Sequence, residues 1–271
     1  MVSEFAIARA LYNAARDVNR EEYFNEQVMR YRLIVREVTG RTRDGAVLDL
    51  GLGQGHVATA LARLGYHAFG LDYYPGENYN DRTAQADDFT SALAVQGVEV
   101  RHCDLQTDPF PFDDDSMDIV ILAEVLEHLW ASIDHPLRQI ARVLKPGGHV
   151  IITTPNAASL LNRLNLLLGK SVDTSLDSMY YLPSYMRHCR EYTLAEVCEV
   201  ASRAGLTPVQ AECYSYNFYR TRLPDRDGRH VFSDRFLLNS GKQVRKLLAQ
   251  PLLSAIPSLR DNLMVTARKP S

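Results

Sequence analysis

Short, largely apolar runs, most of them separated by helical stretches, constrain this chain more than any other feature. Ala46–Leu50, His67–Leu71, Val98–His102, Ile119–Leu122 and His149–Thr153 read as strands, with helices over His56–Leu64, Thr83–Gln96 and Ser132–Leu144 between them. A strand with no polar face must be covered on both sides, and a helix between consecutive strands makes them parallel. The expected core is therefore an open α/β sandwich, whose ligands bind beyond the carboxyl ends of the strands. Lys145-Pro146-Gly147-Gly148 reads as a turn that launches the fifth strand.

Before residue 46, apolar residues from Phe5 to Val38 recur at helix-like intervals, which predicts one or two N-terminal helices closed by Gly40. From Pro155 to about Tyr192 the alternation stops, which marks an insertion. A helix over Leu194–Arg203, a strand around Val209–Tyr216, an irregular segment over Arg220–Ser240, a helix near Gln243–Ala249 and a strand over Asn262–Ala267 complete the chain. The expected layout is one domain: N-terminal helices over 1–44, a core over 45–154, an insertion or lid over 155–192, and the rest of the sheet over 193–271.

Composition enters mainly by exclusion. With 46% hydrophobic and 23% charged residues in 271, disorder and fibrous architectures do not fit. The net charge of -3 provides no global positive field for nucleic acid, and positive clusters occur only at 220–229 and 242–246. Cys103, Cys189, Cys198 and Cys213 show neither CxxC pairing nor metal-finger spacing and are too few for a disulfide framework, so a reducing cytoplasm is expected. The first residues carry charges every few positions and resemble no signal peptide, and no run approaches the roughly 18 apolar residues of a membrane span.

The stretch Val47-Leu48-Asp49-Leu50-Gly51-Leu52-Gly53-Gln54-Gly55 lies between a strand and a helix, where glycines let the backbone turn tightly and approach a ligand. A dinucleotide fingerprint requires a third glycine at position 56, which is His56. What remains, an acid in the strand followed by GxGxG, resembles motif I of the class I S-adenosylmethionine-dependent methyltransferases. Further matches cover roughly 45 to 155: Gly70-Leu71-Asp72, Cys103-Asp104-Leu105, the segment from Phe110 to Val120, and Arg142 through Gly148. The resemblance implies a Rossmann-like, doubly wound seven-stranded sheet, mostly parallel with an antiparallel last strand. It also implies a cofactor site of Asp49, Gly51, Gly53, Gly55, Asp72, Asp104, Leu105 and Glu124. There Asp72 would bind the ribose hydroxyls, Asp104 would accept from the adenine amine, and Leu105 would pack on the ring. A carboxylate suits a vicinal diol because it accepts two hydrogen bonds. Taken singly, Asp72 also reads as a helix cap, Asp104 as a turn residue and KPGG as an ordinary turn.

After the fourth strand comes Glu124-Val125-Leu126-Glu127-His128. Read as the start of a helix, its positions i, i+3 and i+4 share one face, so Glu124, Glu127 and His128 converge into a candidate site for Mg²⁺ or another divalent cation. The pattern is similar to that of metal-assisted O-methyltransferases of ubiquinone biosynthesis and small-RNA methylation, and that resemblance implies His188 as a fourth ligand. EVLEH also occurs in class I methyltransferases without metal, where the acid touches the cofactor and the histidine faces the acceptor. In either case Glu127, His128 and His188 are the candidate catalytic residues, a histidine serving as general base where no metal is bound. His149 and His67 begin strands, on the wrong edge of the sheet, and His56 reads as a helix-start residue.

In the insertion, Leu160, Leu161, Leu164, Leu167 and Leu168 share one helical face, which is expected to pack on the core; a lid, a dimer contact and a membrane-surface helix are the alternatives. Tyr180, Tyr181, Tyr185, Tyr192, Tyr214, Tyr216 and Tyr219 suit a sugar or a hydroxylated aromatic. The sequence thus points to methyl transfer from S-adenosylmethionine to a hydroxyl of a small or saccharide-like acceptor, with metal-free N- or C-methylation and a non-catalytic scaffold as alternatives.

Overall fold

The structure, a computed structural model, describes residues 2–17, 21–73, 83–181, 183, 187–215, 223–224, 230–231 and 251–271. Its core is a seven-stranded sheet. Five parallel strands are β1 (Ala46–Leu50), β2 (His67–Asp72), β3 (Val98–His102), β4 (Met117–Ala123) and β5 (Leu144–Pro155). The strand β6 (Thr207–Tyr214) follows, then the two-residue pair β7 (Leu223–Pro224) and β8 (His230–Val231), and finally β9 (Asn262–Arg268). The spatial order is β3-β2-β1-β4-β5-β9-β6, with β9 antiparallel to both its neighbours. The expected seven-stranded, mostly parallel architecture is present.

Side chains alternate between the faces of each strand with a period of two, and here both sets are buried. Leu48 and Leu50 of β1, Val120 and Leu122 of β4, Val150 and Ile152 of β5, and Leu263 and Val265 of β9 join one core. It is covered by α5 (Asp134–Val143) and α8 (Leu194–Arg203), through Leu137, Ile140, Val197 and Ala201. Their neighbours Val47, Ile119, Ile121, Ile151 and Met264 join a second core, under α1 (Glu4–Asp17), α2 (Glu21–Arg41) and α3 (His56–Arg63). The helix α4 (Thr83–Val95) adds Leu93 to a smaller cluster with Ala68 and Val98.

The N-terminal pair is fastened to the sheet by polar contacts as well as apolar ones. Glu37 of α2 accepts from Thr266 of β9 at 2.8 Å and pairs with Arg41, which donates to Gln210 of β6. Arg32 donates to Glu4 of α1 at 2.7 Å. Gly40 lies inside α2 and does not close it.

Two further expectations are corrected. Lys145–Gly148 is a bulge inside β5 and not a turn before it: Met117 pairs with Leu144 and Ile119 with His149, so β5 carries extra residues at that point. The end of β9 stabilises this bulge, because Gly147 donates to the Lys269 carbonyl and Lys269 donates to the Gly148 carbonyl. The leucine face does not pack on the core. It lies on α6 (Leu160–Leu167), followed by α7 (Leu176–Tyr181), and neither helix contains a buried residue; Leu167 is 82% exposed. Tyr192 and Tyr214 are core residues and Tyr180 and Tyr181 are exposed, whereas Tyr185, Tyr216, Tyr219, the helix expected at 243–249 and the cluster at 242–246 lie outside the described residues, as does most of 220–229. All four cysteines are free, and among the described residues no helix is long and apolar enough to cross a membrane.

After the insertion the chain re-enters the core at Thr193, which caps α8 in a reciprocal box: Thr193 accepts from the Glu196 amide and the Glu196 carboxylate accepts from the Thr193 amide at 2.8 Å. Thr193→Ala is expected to cost about 1 kcal/mol of stability in urea unfolding, and Thr193→Ser to restore most of it. An unchanged midpoint in the alanine variant would remove the cap from the account of the fold.

Candidate active site

Two clusters lie at the carboxyl ends of the central strands, one on each face of the sheet. The first is a cavity of about 180 Å³ lined by Asp49, Gly51, Leu52, Gly53 and Gln54 of the β1–α3 loop, His56 and Val57 of α3, Ala123 and Glu124 after β4, and Arg30, Tyr31 and Ile34 of α2. The loop is shaped by two glycines with different tasks. Gly51 has φ 67°, and a Cβ there would lie 2.4 Å from a methyl of Val125, so this glycine allows the loop to close on the acid-rich segment. Gly53 has φ 56°, and a Cβ there would meet nothing nearer than the Gly51 carbonyl at 3.9 Å, so its backbone faces open space that a ligand can occupy. Asp72 braces the loop by accepting from the Gly53 amide at 3.1 Å and from Tyr73 at 2.8 Å, which makes it part of the loop's scaffold.

Two aspartates at this loop, Asp49 and Asp72, are perturbed by burial. Asp49 is held well above the usual carboxylate range, first by desolvation, then by the charge of Asp72, with Arg30 opposing. Asp72 is raised by desolvation against its two backbone hydrogen bonds. Arg30 pairs with Glu124 at 3.1 Å, and Glu124 also accepts from Thr153 at 3.0 Å. Asp104 closes its own turn by accepting from the Gln106 amide at 2.9 Å, and Leu105 is buried in the main core. Gly55 caps α3 with φ 73°. His56 is 1% exposed, its ring against Phe24 and Tyr31 at 5.3 and 5.5 Å, so the place of a third dinucleotide glycine is filled by an aromatic core contact.

The second cluster is Glu127, His128 and His188, with one ligand-type atom from each lying within 4.8 Å of the others. It departs from the expected helical face. Glu124 has φ 55°, in the left-handed region, and only Leu126–His128 form a turn of 3-10 helix. The backbone reversal sends Glu124 to the glycine-loop cavity, and Glu127 and His128 to the other side. As a member of a four-ligand metal set Glu124 is therefore corrected: Arg30 and Thr153 hold it in the first cluster.

The insertion returns to this cluster through main-chain bonds. The amides of Cys189 and Arg190 donate to the Glu127 carbonyl at 2.7 and 3.4 Å, and the Arg187 carbonyl lies 3.1 Å from His128 Nδ1. A carbonyl only accepts, so Nδ1 carries the proton and the neutral ring keeps its lone pair on Nε2. The two imidazoles meet edge to face at 4.9 Å. Burial, then the neighbouring His188, lowers the pKa of His128, which favours this neutral form. His188 is shifted upward, chiefly by Glu191 at 3.5 Å. Glu127 is 1% exposed, and its pKa is pushed up to about 8 by desolvation and then by Glu124. Its Oε2 accepts from Thr154 at 2.9 Å, but its buried Oε1 has no hydrogen-bond partner. An orphaned buried carboxylate oxygen beside two imidazoles is a costly arrangement unless something binds there.

A sequence profile of the methyltransferase domain family matches residues 20–211. The chain belongs to the class I methyltransferase family. It is 29% identical over 204 residues to a probable S-adenosylmethionine-dependent methyltransferase of Mycolicibacterium smegmatis, covering 74% of this chain and 66% of that protein. It is 31% identical over 126 residues to the human mitochondrial ubiquinone biosynthesis O-methyltransferase, covering 46% of this chain and 33% of that one. The chain thus spans just under two thirds of the length of such mycobacterial relatives, and less of the human protein. Among solved structures, a Haemonchus contortus phosphoethanolamine N-methyltransferase in complex with S-adenosyl-L-methionine superposes with a TM-score of 0.54 at 21% identity, over 88% of this chain and 52% of that one, which is a likeness of fold.

The signals behind Asp49, the glycine loop, Asp72 and the Glu127–His128 pair are local motifs. Arg30 and Tyr31 carry no such signal: they lie inside an amphipathic helix, and only the fold brings them to the cavity. The state of Glu127 has a measurable consequence. In the ion-free chain its folded-state pKa lies near 8 against an ordinary 4.5, so its contribution to stability is complete below 4.5 and is lost as pH rises towards 8. Glu127→Gln should therefore gain stability relative to wild type as pH rises through that window, measured by urea midpoints in chelator-treated protein. A difference that does not change with pH would place Glu127 outside this role.

Proposed function

We propose that this chain transfers the methyl group of S-adenosylmethionine to a hydroxyl of a small-molecule acceptor. The observation that carries the reading is the pairing of a glycine-loop cavity with a separate Glu-His-His cluster at the same end of the sheet. The cavity fits the charges of the cofactor's amino-acid end: Asp49 and Glu124 supply carboxylates for the cationic groups, and Arg30 supplies a cation for the carboxylate. Gly53 leaves room for close approach, and Asp72, at the end of β2, retains lone pairs for the ribose diol beyond its two backbone bonds. Asp104 and Leu105 would form the adenine end. A bound cofactor supplies an electrophilic methyl group; the chain's task is to hold it and aim the acceptor.

The second cluster fits a divalent ion. The unpartnered Oε1 of Glu127 and the lone pairs of His128 and His188 form one carboxylate and two imidazoles, a donor set that suits Zn²⁺, Mn²⁺ or Fe²⁺ better than the Mg²⁺ suggested by two carboxylates. Such an ion lowers the pKa of a bound hydroxyl. On the protein side, Glu127 must release its proton to serve as a ligand, and His128 presents Nε2 because Arg187 fixes Nδ1. Without an ion, the same Nε2 is the base that takes the acceptor's proton. A relative named for O-methylation in ubiquinone biosynthesis supports an oxygen acceptor, and the net charge of -3 supports a small molecule over nucleic acid. The chain is taken to act as one domain, with the insertion beside the acceptor.

Asp72→Ala is expected to weaken S-adenosylhomocysteine binding by about 1.5–3 kcal/mol in calorimetric titration, the range for hydrogen bonds to a charged group. Unchanged affinity would withdraw the ribose assignment. His128→Ala is expected to keep S-adenosylhomocysteine affinity within about twofold of wild type and to lose methyl transfer, read as S-adenosylhomocysteine release with a panel of phenols and sugars. Full turnover in that variant would remove His128 from the chemistry. Activity in chelator-stripped protein that Zn²⁺ or Mn²⁺ does not raise would leave His128 acting as a base alone.

A further inference from the structure

Two threonines stand side by side at the carboxyl end of β5, and each is bonded to a different glutamate of the ExxE segment. Thr153 donates to Glu124 Oε1 at 3.0 Å and Thr154 donates to Glu127 Oε2 at 2.9 Å. Both are buried, at 1% and 0% exposure. Their parity follows from the strand. Ile151 faces the α1–α3 side and Ile152 the α5–α8 side, so Thr153 continues the first row and Thr154 the second. Adjacent hydroxyls therefore emerge on opposite faces of one sheet, one towards the glycine-loop cavity and one towards the Glu-His-His cluster.

We infer that Thr153 and Thr154 are positioning residues that sort the two carboxylates, Thr153 holding Glu124 for the cofactor and Thr154 holding Glu127 for the ion and acceptor. This rests on the two-site reading proposed above. A carboxylate can rotate about its last bond, and occupying one oxygen fixes where the other one points. Thr154 occupies Oε2 of Glu127, which leaves the partnerless Oε1 as the oxygen offered to the cluster. Thr153 does the same for Glu124 together with Arg30, which takes Oε2. The strand also supplies the main-chain tie, since the Glu124 amide donates to the Thr153 carbonyl at 2.8 Å. Valine has the shape of threonine without its hydroxyl, so it removes the hydrogen bond and keeps the packing, whereas serine keeps the hydroxyl.

The test is a crossed one on the full chain, with S-adenosylhomocysteine affinity read by calorimetry and Co²⁺ affinity read from its visible absorption. Thr153→Val is expected to weaken S-adenosylhomocysteine several-fold and leave Co²⁺ affinity unchanged. Thr154→Val is expected to do the reverse, with Co²⁺ affinity reduced about 10–100-fold, the range for losing an outer-shell partner of a metal ligand. The serine variants should restore each affinity to near wild type. Valine variants that weaken both ligands alike, or neither, would overturn the sorting role. If wild type binds neither Co²⁺ nor Zn²⁺, the ion reading fails on its own. Crystal structures of wild type and Thr154→Val then decide the remaining arm: a turned Glu127 carboxylate supports the inference, and an unmoved one overturns it.

Discussion

The left-handed backbone at Glu124 is the constraint on which both clusters depend. A non-glycine residue with φ 55° costs on the order of 1–3 kcal/mol, and such a conformation persists only where its surroundings over-determine it. Here the Glu124 amide is bound to the Thr153 carbonyl, and its carboxylate is held by Thr153 and Arg30. A continuous helix from Glu124 would have set two carboxylates and an imidazole on one face. The reversal instead divides them between the faces of the sheet, so that the glycine-loop cavity and the Glu-His-His cluster share one strand end without sharing side chains.

That division also governs the electrostatics. Glu127 lies in a dry position beside the charge of Glu124, and both effects favour its neutral form; His188 and Thr154 oppose them without reversing the balance. Glu127 is thereby shifted towards its neutral form, and His188, beside Glu191, is shifted upward. On the other face, burial and the charge of Asp72 push the Asp49 carboxyl the same way, and Arg30 partly offsets them. Each face thus balances acid against base within a few ångströms.

The strands and helices of the core were legible because their signals are local. Apolar runs such as Ile119–Leu122 and the helical period of Leu194–Arg203 depend on neighbours a few residues away, and β1, β3 and α8 have the expected bounds. What the sequence does not carry is pairing across distance. The antiparallel last strand was implied by family resemblance and not by periodicity, and the order of the strands, with β9 inserted between β5 and β6, is set by tertiary pairing. The Lys145–Gly148 bulge depends on Lys269 from the far end of the chain. The leucine pattern of α6 tells which residues share a face and is silent on what lies opposite, and the expected packing on the core is absent. Glu124 shows the same limit at the site, since Glu-x-x-Glu-His fits a helix as well as it fits a strand end with a reversal. Arg30 is one of 30 basic residues, and only tertiary structure distinguishes it.

The insertion follows from the way it is fastened. His188 reaches Glu127 and His128 because the main chain of 187–190 is bonded to those two residues, and Thr174 adds a hydrogen bond to the His188 carbonyl at 2.6 Å. Behind it, Ala157 donates to the Tyr192 carbonyl, and Asn162 at the start of α6 donates to Glu191 at 3.1 Å. Most of these bonds are made by backbone groups, which every non-proline residue possesses. The helices α6 and α7, which bury nothing, contribute little to holding the cluster together. Substitutions of their exposed side chains therefore leave the cluster in place, since the positions of Glu127, His128 and His188 are kept largely by the peptide groups around them.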